Sequence, residues 1–371
     1  MTNKILQNKI LGLVRPEISA MTAYQVPRVA NIEVKLDANE SPYPLSEKLQ
    51  EALAAELAKV EINRYPDPQA SRLRALIAEQ YAIGGDSLLF GNGSDEIISL
   101  LMTTFAQPRD GQAKPSILYP GPTFSVFQLL AETLGFDTHC VPLQEDFTLN
   151  LPAVRAAIAA NKPNLVFFAR PNNPTGTLWE GADLITLAIE FPDVLFVSDE
   201  AYGEYARGSL VHEQKGHDNL LVMKTISKIG LAGLRIGFAI AEPSLIREIN
   251  KARAPYNLSS LNQAAAVWAL SHCRQLLADQ CQEVVAQRAR LAEALSSYPQ
   301  LRVFESEANL ILFRVGEKGE GGGPGLWQQL CERGVLIRKF GSEGPLGDCL
   351  RVTIGSPQEN DRFLAVLADL L

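Results

Sequence analysis

Apolar runs alternate with stretches of helical spacing through the middle of the chain, from about residue 87 to residue 255. Six short apolar runs predict strands, and the segments between them have helical spacing, as over residues 183–190. This alternation is typical of βαβ units, in which a mostly parallel sheet is covered by helices on both faces. The six predicted strands are 88–90, 116–119, 166–168, 195–197, 221–223 and 237–240.

The two ends of the chain have a different pattern. Residues 1 to about 45 are interrupted by prolines and predict an extended arm, followed by helices at 47–60 and 71–81. Beyond residue 255 the spacing predicts one long helix over 262–298, a closing helix over 359–371, and a surface loop at 316–325, where six glycines fall. The strands predicted for this part are 302–304, 310–313, 335–337 and 350–354.

Together these patterns predict an α/β protein with two domains. We assign residues 1–45 to the arm, 46–255 to a large domain with a mostly parallel sheet, and 256–371 to a smaller α+β domain. The helix within 46–62 is compatible with either domain.

Composition narrows the functional classes. With 46% hydrophobic residues in 371, the chain can bury a substantial core, and its net charge of -8 disfavours a nucleic-acid-binding protein. The five cysteines and four histidines show neither CxxC pairs nor metal-ligand spacing, so we expect free thiols and no metal. No apolar run approaches membrane-spanning length, and the first residues lack a signal-peptide pattern. We expect a cytoplasmic protein without a membrane span.

Polar side chains follow the ends of three consecutive predicted strands. Asn173, Asp199 and Lys228 come after the runs at 165–169, 194–197 and 220–223. Because ligands bind beyond the carboxyl ends of parallel strands, one ligand would meet an amide, a carboxylate and an amine. These groups suit a pyridine aldehyde phosphate, with a lysine for the Schiff base and an acid for the ring nitrogen. Taken singly, Lys228 is better explained as an ordinary surface lysine, and Asp199 could equally be a helix N-cap.

A phosphate site is indicated near the lysine. Arg235 lies in an apolar run seven residues after Lys228, and a buried arginine requires an anionic partner. The hydroxyls of Thr225 and Ser227 flank the lysine, and Ser94 opens a helix directly after a predicted strand.

Free N–H groups at a helix N-terminus favour an anion. The glycines before Ser94 resemble a dinucleotide fingerprint, but Glu96 stands where its third glycine belongs. A cradle for a single phosphate is therefore the better interpretation.

Four further residues are candidates, each with a structural alternative. Tyr202 could bond a ring hydroxyl or be a buried structural tyrosine, and Phe124 could stack on a ring or lie in the core. Arg351 shares a strand face with a threonine and suits a carboxylate or phosphate. Arg338 could be a second anion contact, or half of a surface salt bridge.

Together, these motifs resemble the fold-type I aminotransferases that use pyridoxal 5′-phosphate, and among them the histidinol-phosphate aminotransferases are most similar. The resemblance extends over about residues 14–355. It is carried by the stretches 14–18, 23–24, 36–42, 64–67, 171–176, 198–202 and 227–237.

The resemblance implies a role for each matching residue. Lys228 would carry the cofactor and move a proton, Asp199 would pair with the pyridinium nitrogen, and Asn173 and Tyr202 would contact the ring oxygen. Arg351 would bind the anionic end of the substrate, with Arg338 and Tyr24 beside it. The residues expected around the cofactor are Ser94, Asp95, Phe124, Thr225, Ser227 and Arg235, with Tyr65 supplied by the other subunit of a homodimer.

Three departures from this pattern are visible in the sequence. Ser94 stands where some relatives carry an alanine, a change that should not hurt anion binding. Many members have a tyrosine where Phe124 stands, so stacking on the ring would survive without the hydroxyl contact. The interval from Lys228 to Arg235 is one residue shorter than in some relatives, which weakens the assignment of Arg235.

The activity that the resemblance implies is amino transfer between L-histidinol phosphate and 2-oxoglutarate. A phosphothreonine decarboxylase and a broad aromatic aminotransferase are alternatives within the same fold. A cofactor-binding regulator without catalysis is disfavoured because Lys228, Asp199 and Arg351 are all present. A nicotinamide oxidoreductase is disfavoured by Glu96 and by the lysine.

Overall fold

Two sheets organise the computed structural model, which describes residues 9–23, 29–109, 111–316 and 321–371. The strands, in chain order, are β1 Val34–Leu36, β2 Leu88–Asn92, β3 Ser116–Gly121, β4 Asp137–Pro142, β5 Leu165–Ala169, β6 Leu195–Asp199, β7 Leu220–Thr225, β8 Ile236–Ile240, β9 Leu301–Val303, β10 Leu310–Val315, β11 Val335–Lys339 and β12 Cys349–Thr353. The helices are α1 Pro16–Ala20, α2 Glu47–Leu57, α3 Ser71–Gln80, α4 Ser94–Thr104, α5 Val126–Leu134, α6 Leu151–Asn161, α7 Gly181–Glu190, α8 Pro243–Asn250, α9 Ser260–His272, α10 Arg274–Ser296, α11 Gly322–Glu332 and α12 Pro357–Ala368.

The large sheet has seven strands in the order β2-β8-β7-β6-β5-β3-β4. Its central strands are buried on both faces, which is why they appear in the sequence as unbroken apolar runs. Side chains alternate between the two faces. Phe168 and Phe196 lie in the core on one face, and Phe167 and Val197 in the core on the other.

One strand of this sheet runs against the others. β8 pairs antiparallel with β7 on one side and with β2 on the other, so the sheet is mostly but not wholly parallel. The link between β7 and β8, residues 226–235, is too short for the crossover that a parallel neighbour needs. A fully buried strand has the same apolar pattern in either direction, so periodicity alone could not predict the reversal.

The single helix predicted over 262–298 is wrong, because the chain breaks at Cys273 into α9 and α10. The buried side chains of α9, including Trp268, pack in the core of the large sheet. α10 begins against that core at Leu277 and ends against the small-sheet core at Leu295. The break redirects the chain from one core to the other while the helical spacing continues on both sides.

The small sheet has the order β1-β11-β12-β10-β9. Its edge strand β1 comes from the predicted arm and pairs parallel with β11, so this part of the arm contributes to the small-sheet core through Val34 and Leu36. The loop predicted at 316–325 is too long, because α11 begins at Gly322. In the part of the chain that the structure describes, no helix is both long enough and apolar enough to cross a bilayer.

Candidate active site

The carboxyl ends of β5, β6 and β7 open into a cleft of about 570 Å³ whose walls come from both sheets. Every predicted site residue except Tyr24 and Tyr65 lines this cleft. Tyr24 lies outside the described residues, and Tyr65 stacks on Tyr256 at the surface, with 79% of its area exposed. The predicted residues in the cleft are Ser94, Asp95, Phe124, Asn173, Asp199, Tyr202, Thr225, Ser227, Lys228, Arg235, Arg338 and Arg351.

Asp199 ends β6 at the floor of the cleft and is only 4% exposed. The pKa of its carboxyl is raised to about 7, chiefly by burial; the neighbouring carboxylates of Asp95 and Glu200 also raise it, whereas the Ala201 N–H and Lys228 lower it. The Ala201 N–H donates to Asp199 Oδ1 over 3.0 Å, so one oxygen does cap the following turn. A cationic partner in the cleft would favour the ionised form of this carboxyl.

Lys228 lies in the turn Ser227–Leu231 between β7 and β8, where the backbone leaves helical geometry at Ile229 and at Gly230, whose φ is +103°. Its amine is 5.6 Å from the centre of the Tyr202 ring, and the Tyr205 hydroxyl donates to its backbone carbonyl. The lysine is thus held at the cleft floor on the same side as Asp199 and Tyr202.

The N-terminus of α4 forms one end of the cleft. Gly93, with φ of +80°, precedes Ser94 at the helix start, and a Cβ on Gly93 would lie 2.6 Å from Arg235 Nη2. A Cβ on Gly237 of β8 would lie 2.5 Å from the Ser94 nitrogen, so glycine is required for β8 to lie against the helix start. The hydroxyls of Thr225 and Ser227 line the same end of the cleft, 2.8 Å apart. N–H groups, hydroxyls and a guanidinium therefore converge, as an anion site requires.

The predicted burial of Arg235 is wrong. The side chain is 47% exposed, and its Nη2 lies 3.4 Å from Asp95 Oδ2. The apolar run around Arg235 includes the turn before β8 as well as the strand itself, and the arginine lies in the turn. Such an exposed pair contributes little to stability, so the case for an anion here depends on the position of Arg235 beside the helix start.

Two arginines form the opposite end of the cleft. Arg338 of β11 and Arg351 of β12 lie directly opposite each other in the antiparallel register. Arg351 is buried, and its guanidinium donates to Asn173 Oδ1 and to the Asp37 carbonyl, each over 2.6 Å. Like charges at paired positions repel, so this end of the cleft favours an anionic ligand. The surface-salt-bridge alternative for Arg338 is disfavoured by its position in the cleft wall.

Asn39 was missed as a site residue, although the stretch 36–42 contributed to the resemblance. It lines the cleft, is 2% exposed, and its Nδ2 donates to the Tyr202 hydroxyl over 2.8 Å. It follows β1, so the strand-end rule applied to Asn173 and Asp199 would have found it had that strand been predicted. A strand of three residues is too short for the alternation to be visible.

A buried ionic cluster adjoins Asp199, and no local pattern in the chain singled it out. Glu200, 1% exposed, lies 3.4 Å from Lys224 Nζ and 3.6 Å from Arg170 Nη1, and it accepts the Leu210 N–H over 2.8 Å. Lys224 also lies 3.2 Å from Glu204. The cluster pairs its charges and ties the turn after Asp199 to the neighbouring strands β5 and β7.

The described residues contain no group of three or more His, Cys, Asp or Glu placed to hold a metal ion. All five cysteines, each within the described ranges, are free thiols.

Comparisons with known proteins agree on one family. Residues 31–367 match the family described as aminotransferase class I and II. The chain is 43% identical to the histidinol-phosphate aminotransferase of Chromobacterium violaceum, over 96% of this chain and 97% of that one. It is 40% identical to histidinol-phosphate aminotransferase 2 of Nitrosococcus oceani, over 97% and 98% of the two chains.

Among solved structures, histidinol-phosphate aminotransferase from Sinorhizobium meliloti, in complex with pyridoxal 5′-phosphate, superposes with a TM-score of 0.84 at 22% identity, covering 96% of this chain and 97% of that one. L-threonine-O-3-phosphate decarboxylase from Porphyromonas gingivalis superposes with a TM-score of 0.74 at 21% identity, covering 91% and 98%. The predicted fold-type I architecture is confirmed. The chain therefore belongs to the class I and II aminotransferases.

Proposed function

We propose that this protein is a pyridoxal 5′-phosphate-dependent aminotransferase that interconverts L-histidinol phosphate and 2-oxoglutarate with imidazole acetol phosphate and L-glutamate, in histidine biosynthesis. The observation that carries the proposal is a single cleft lined by Lys228 and Asp199, with Arg235 beside the start of α4 at one end and Arg338 and Arg351 of the small sheet at the other. One end suits the phosphate of the cofactor, and the other suits the phosphate or carboxylate of the substrates. Relatives at 40–43% identity over nearly the whole chain are named histidinol-phosphate aminotransferases.

The cleft fits the cofactor. The glycines at 93 and 237 let Arg235 and β8 lie against the start of α4, where the guanidinium and the free N–H groups of the helix could hold a phosphate. The raised pKa of Asp199 indicates a carboxyl whose ionised form needs a cationic partner, and a protonated pyridine nitrogen is such a partner. When bound, pyridoxal 5′-phosphate supplies an electron sink for the bonds at the substrate carbon.

Residues of the chain would carry out the proton transfers and bind the substrate. Lys228 Nζ would take the proton from the substrate carbon that carries the amino group and return it during transfer. Asp199 would hold the proton on the ring nitrogen, and Tyr202 would donate its hydroxyl proton to the ring oxygen. Arg351 donates hydrogen bonds to Asn173 and to the Asp37 carbonyl. These bonds hold its guanidinium in a fixed orientation, in which it would bind the substrate anion.

The second end of the cleft explains how one site could accept different substrates. Arg338 and Arg351 present two guanidinium groups from paired strand positions. Guanidinium groups bind phosphate and carboxylate alike in bidentate fashion. The same pair could therefore bind the phosphate of histidinol phosphate and then a carboxylate of 2-oxoglutarate.

We further propose a homodimer in which Tyr65 reaches the cofactor phosphate of the other subunit. Tyr65 and Ile62 are each 79% exposed, and large exposed apolar side chains in one place are typical of interfaces. The cytoplasm is the compartment that we propose, since all five cysteines are free. A molar mass of twice the chain mass, measured by light scattering of the purified protein, would support the dimer. A molar mass equal to that of one chain would contradict it.

The direct test combines a visible spectrum with a product assay. The bound cofactor should absorb in the visible, histidinol phosphate should remove that band, and 2-oxoglutarate should restore it with release of glutamate. Lys228→Ala should lose at least about a thousandfold in turnover, whereas Lys215→Ala, at an exposed position, should not change it.

The alternatives differ in their products. Release of carbon dioxide from phosphothreonine, without glutamate formation, would establish the decarboxylase instead. A band that histidinol phosphate leaves unchanged but aromatic amino acids remove would refute the substrate while leaving the enzyme class intact.

A further inference from the structure

Asn39 has an uncommon backbone conformation, and nearly all of its polar atoms make hydrogen bonds. Its φ is +54°, in the left-handed region that asparagine tolerates better than most residues. Its N–H donates to Thr353 Oγ1 over 3.0 Å, and its carbonyl accepts from Asn309 Nδ2 over 3.1 Å. Its side chain lies between Thr353 and Tyr202, at 3.1 and 2.8 Å.

These contacts determine which way each proton points. Thr353 Oγ1 accepts the Asn39 N–H, and the threonine hydroxyl donates its own proton to Asn39 Oδ1. The Asn39 amide is thereby oriented with its NH₂ group toward Tyr202, whose hydroxyl oxygen accepts. A tyrosine hydroxyl has one proton, and this one is not used toward Asn39. It is free to donate into the cleft.

The same segment is tied to the substrate end of the cleft. Arg351 donates to the carbonyl of Asp37, two residues before Asn39. Thr353 lies two residues after Arg351 on β12 and therefore on the same strand face. The segment 37–39 is thus held to β12 at both of its ends, while its side chain at 39 contacts the turn after β6. A movement of β12 would be passed directly to the Tyr202 hydroxyl.

We propose that Asn39 is a positioning residue that directs the Tyr202 hydroxyl proton toward the cofactor ring and couples it to the anion-binding strand of Arg351. This inference rests on the proposed function, because it assumes a ring oxygen in the cleft near Tyr202. Asn39 would act through Tyr202 and would not itself touch the reacting atoms.

Two substitutions separate the side chain from the backbone. Asn39→Asp has the same shape but offers only acceptors, so Tyr202 would have to donate to the carboxylate and could no longer donate to the ring. Asn39→Gly keeps the positive φ without strain but removes the side chain. Asn31→Gly is the matched control, since Asn31 also has a positive φ, +60°, but is exposed.

The readouts are kcat, KM and the pH midpoint of the absorbance change of the bound cofactor. A donor to the ring oxygen stabilises its anionic form, so losing that donor should raise the midpoint, by about one pH unit in Asn39→Asp. We expect kcat to fall about tenfold to a hundredfold with KM changed less than about threefold. Asn31→Gly should match the parent in all three.

A double-mutant cycle with Tyr202→Phe distinguishes positioning from a general structural role. If Asn39 acts through Tyr202, Asn39→Asp should have little further effect once the hydroxyl is gone. Additive losses, or an unshifted midpoint in both Asn39→Asp and Asn39→Gly, would overturn the proposal. If the parent proves inactive on histidinol phosphate, the proposed function fails. The role of Asn39 is still decided, because the double-mutant cycle can be evaluated from the pH midpoint of the cofactor absorbance alone. Should Asn39→Asp not fold, the same cycle with Asn39→Gly decides.

Discussion

Asp199 should destabilise the protein that lacks its cofactor, and the size of this effect follows from its environment. Burial raises the pKa of its carboxyl from 3.8 to about 7. Each pKa unit corresponds to about 1.4 kcal/mol, so keeping the carboxyl ionised in the folded state costs about 4 kcal/mol. Relaxation around the carboxylate can only reduce this figure. A residue kept for chemistry would thus lower the free energy of unfolding.

The free energy of unfolding depends on pH because the folded and unfolded states hold the Asp199 proton over different pH ranges. Below about pH 4 both states hold the proton, and the carboxyl has no effect on stability. Between about pH 4 and pH 7 the unfolded chain releases the proton while the folded protein keeps it, so the free energy of unfolding falls as pH rises. Above about pH 7 both states are ionised and the loss is complete. Asp199→Asn, which is neutral at every pH, should escape this loss.

Urea denaturation of the cofactor-free parent and of Asp199→Asn, between pH 5.5 and pH 8, measures the effect. We expect the variant to be the more stable, with an advantage that grows by about 2 kcal/mol across this range. Asp218→Asn, at an exposed position, should stay within about 0.5 kcal/mol of the parent at every pH. An advantage that does not vary with pH, or a variant less stable than the parent at pH 8, would refute the reasoning. Adding pyridoxal 5′-phosphate should stabilise the parent more than the variant, because only the parent offers a carboxylate to the ring.

Three further outcomes follow from the structure. Glu200→Ala removes the carboxylate between two buried cations, and we expect the free energy of unfolding to fall by about 3–5 kcal/mol in urea denaturation; a loss below about 1 kcal/mol would contradict the buried cluster. Gly237→Ala should weaken cofactor binding at least about tenfold in a fluorescence titration, since its Cβ would lie 2.5 Å from the Ser94 nitrogen. Gly233→Ala is the control: position 233 has open space around it, so this variant should bind the cofactor as the parent does. Arg351→Lys keeps the charge but loses the paired hydrogen bonds, so KM for 2-oxoglutarate should rise about tenfold or more while cofactor affinity, measured by the same titration, stays unchanged.

The sequence by itself determined the central strands of the large sheet and most of the cleft. β5, β6 and β7 lie within two residues of their predicted bounds, because strands buried on both faces must be apolar throughout. Polar side chains directly after such strands have one edge of the sheet available to them. Asn173, Asp199 and Lys228 could therefore be placed in one pocket without coordinates.

Only the tertiary structure decided how distant segments meet. Asn39 and Tyr202 are 163 positions apart, and no local pattern relates them. The register that sets Arg338 opposite Arg351 and the reversal of β8 likewise depend on pairing between segments. The physical reason is that periodicity records which face of an element is buried. It carries no information about which other element buries that face, and the site is built from those pairings.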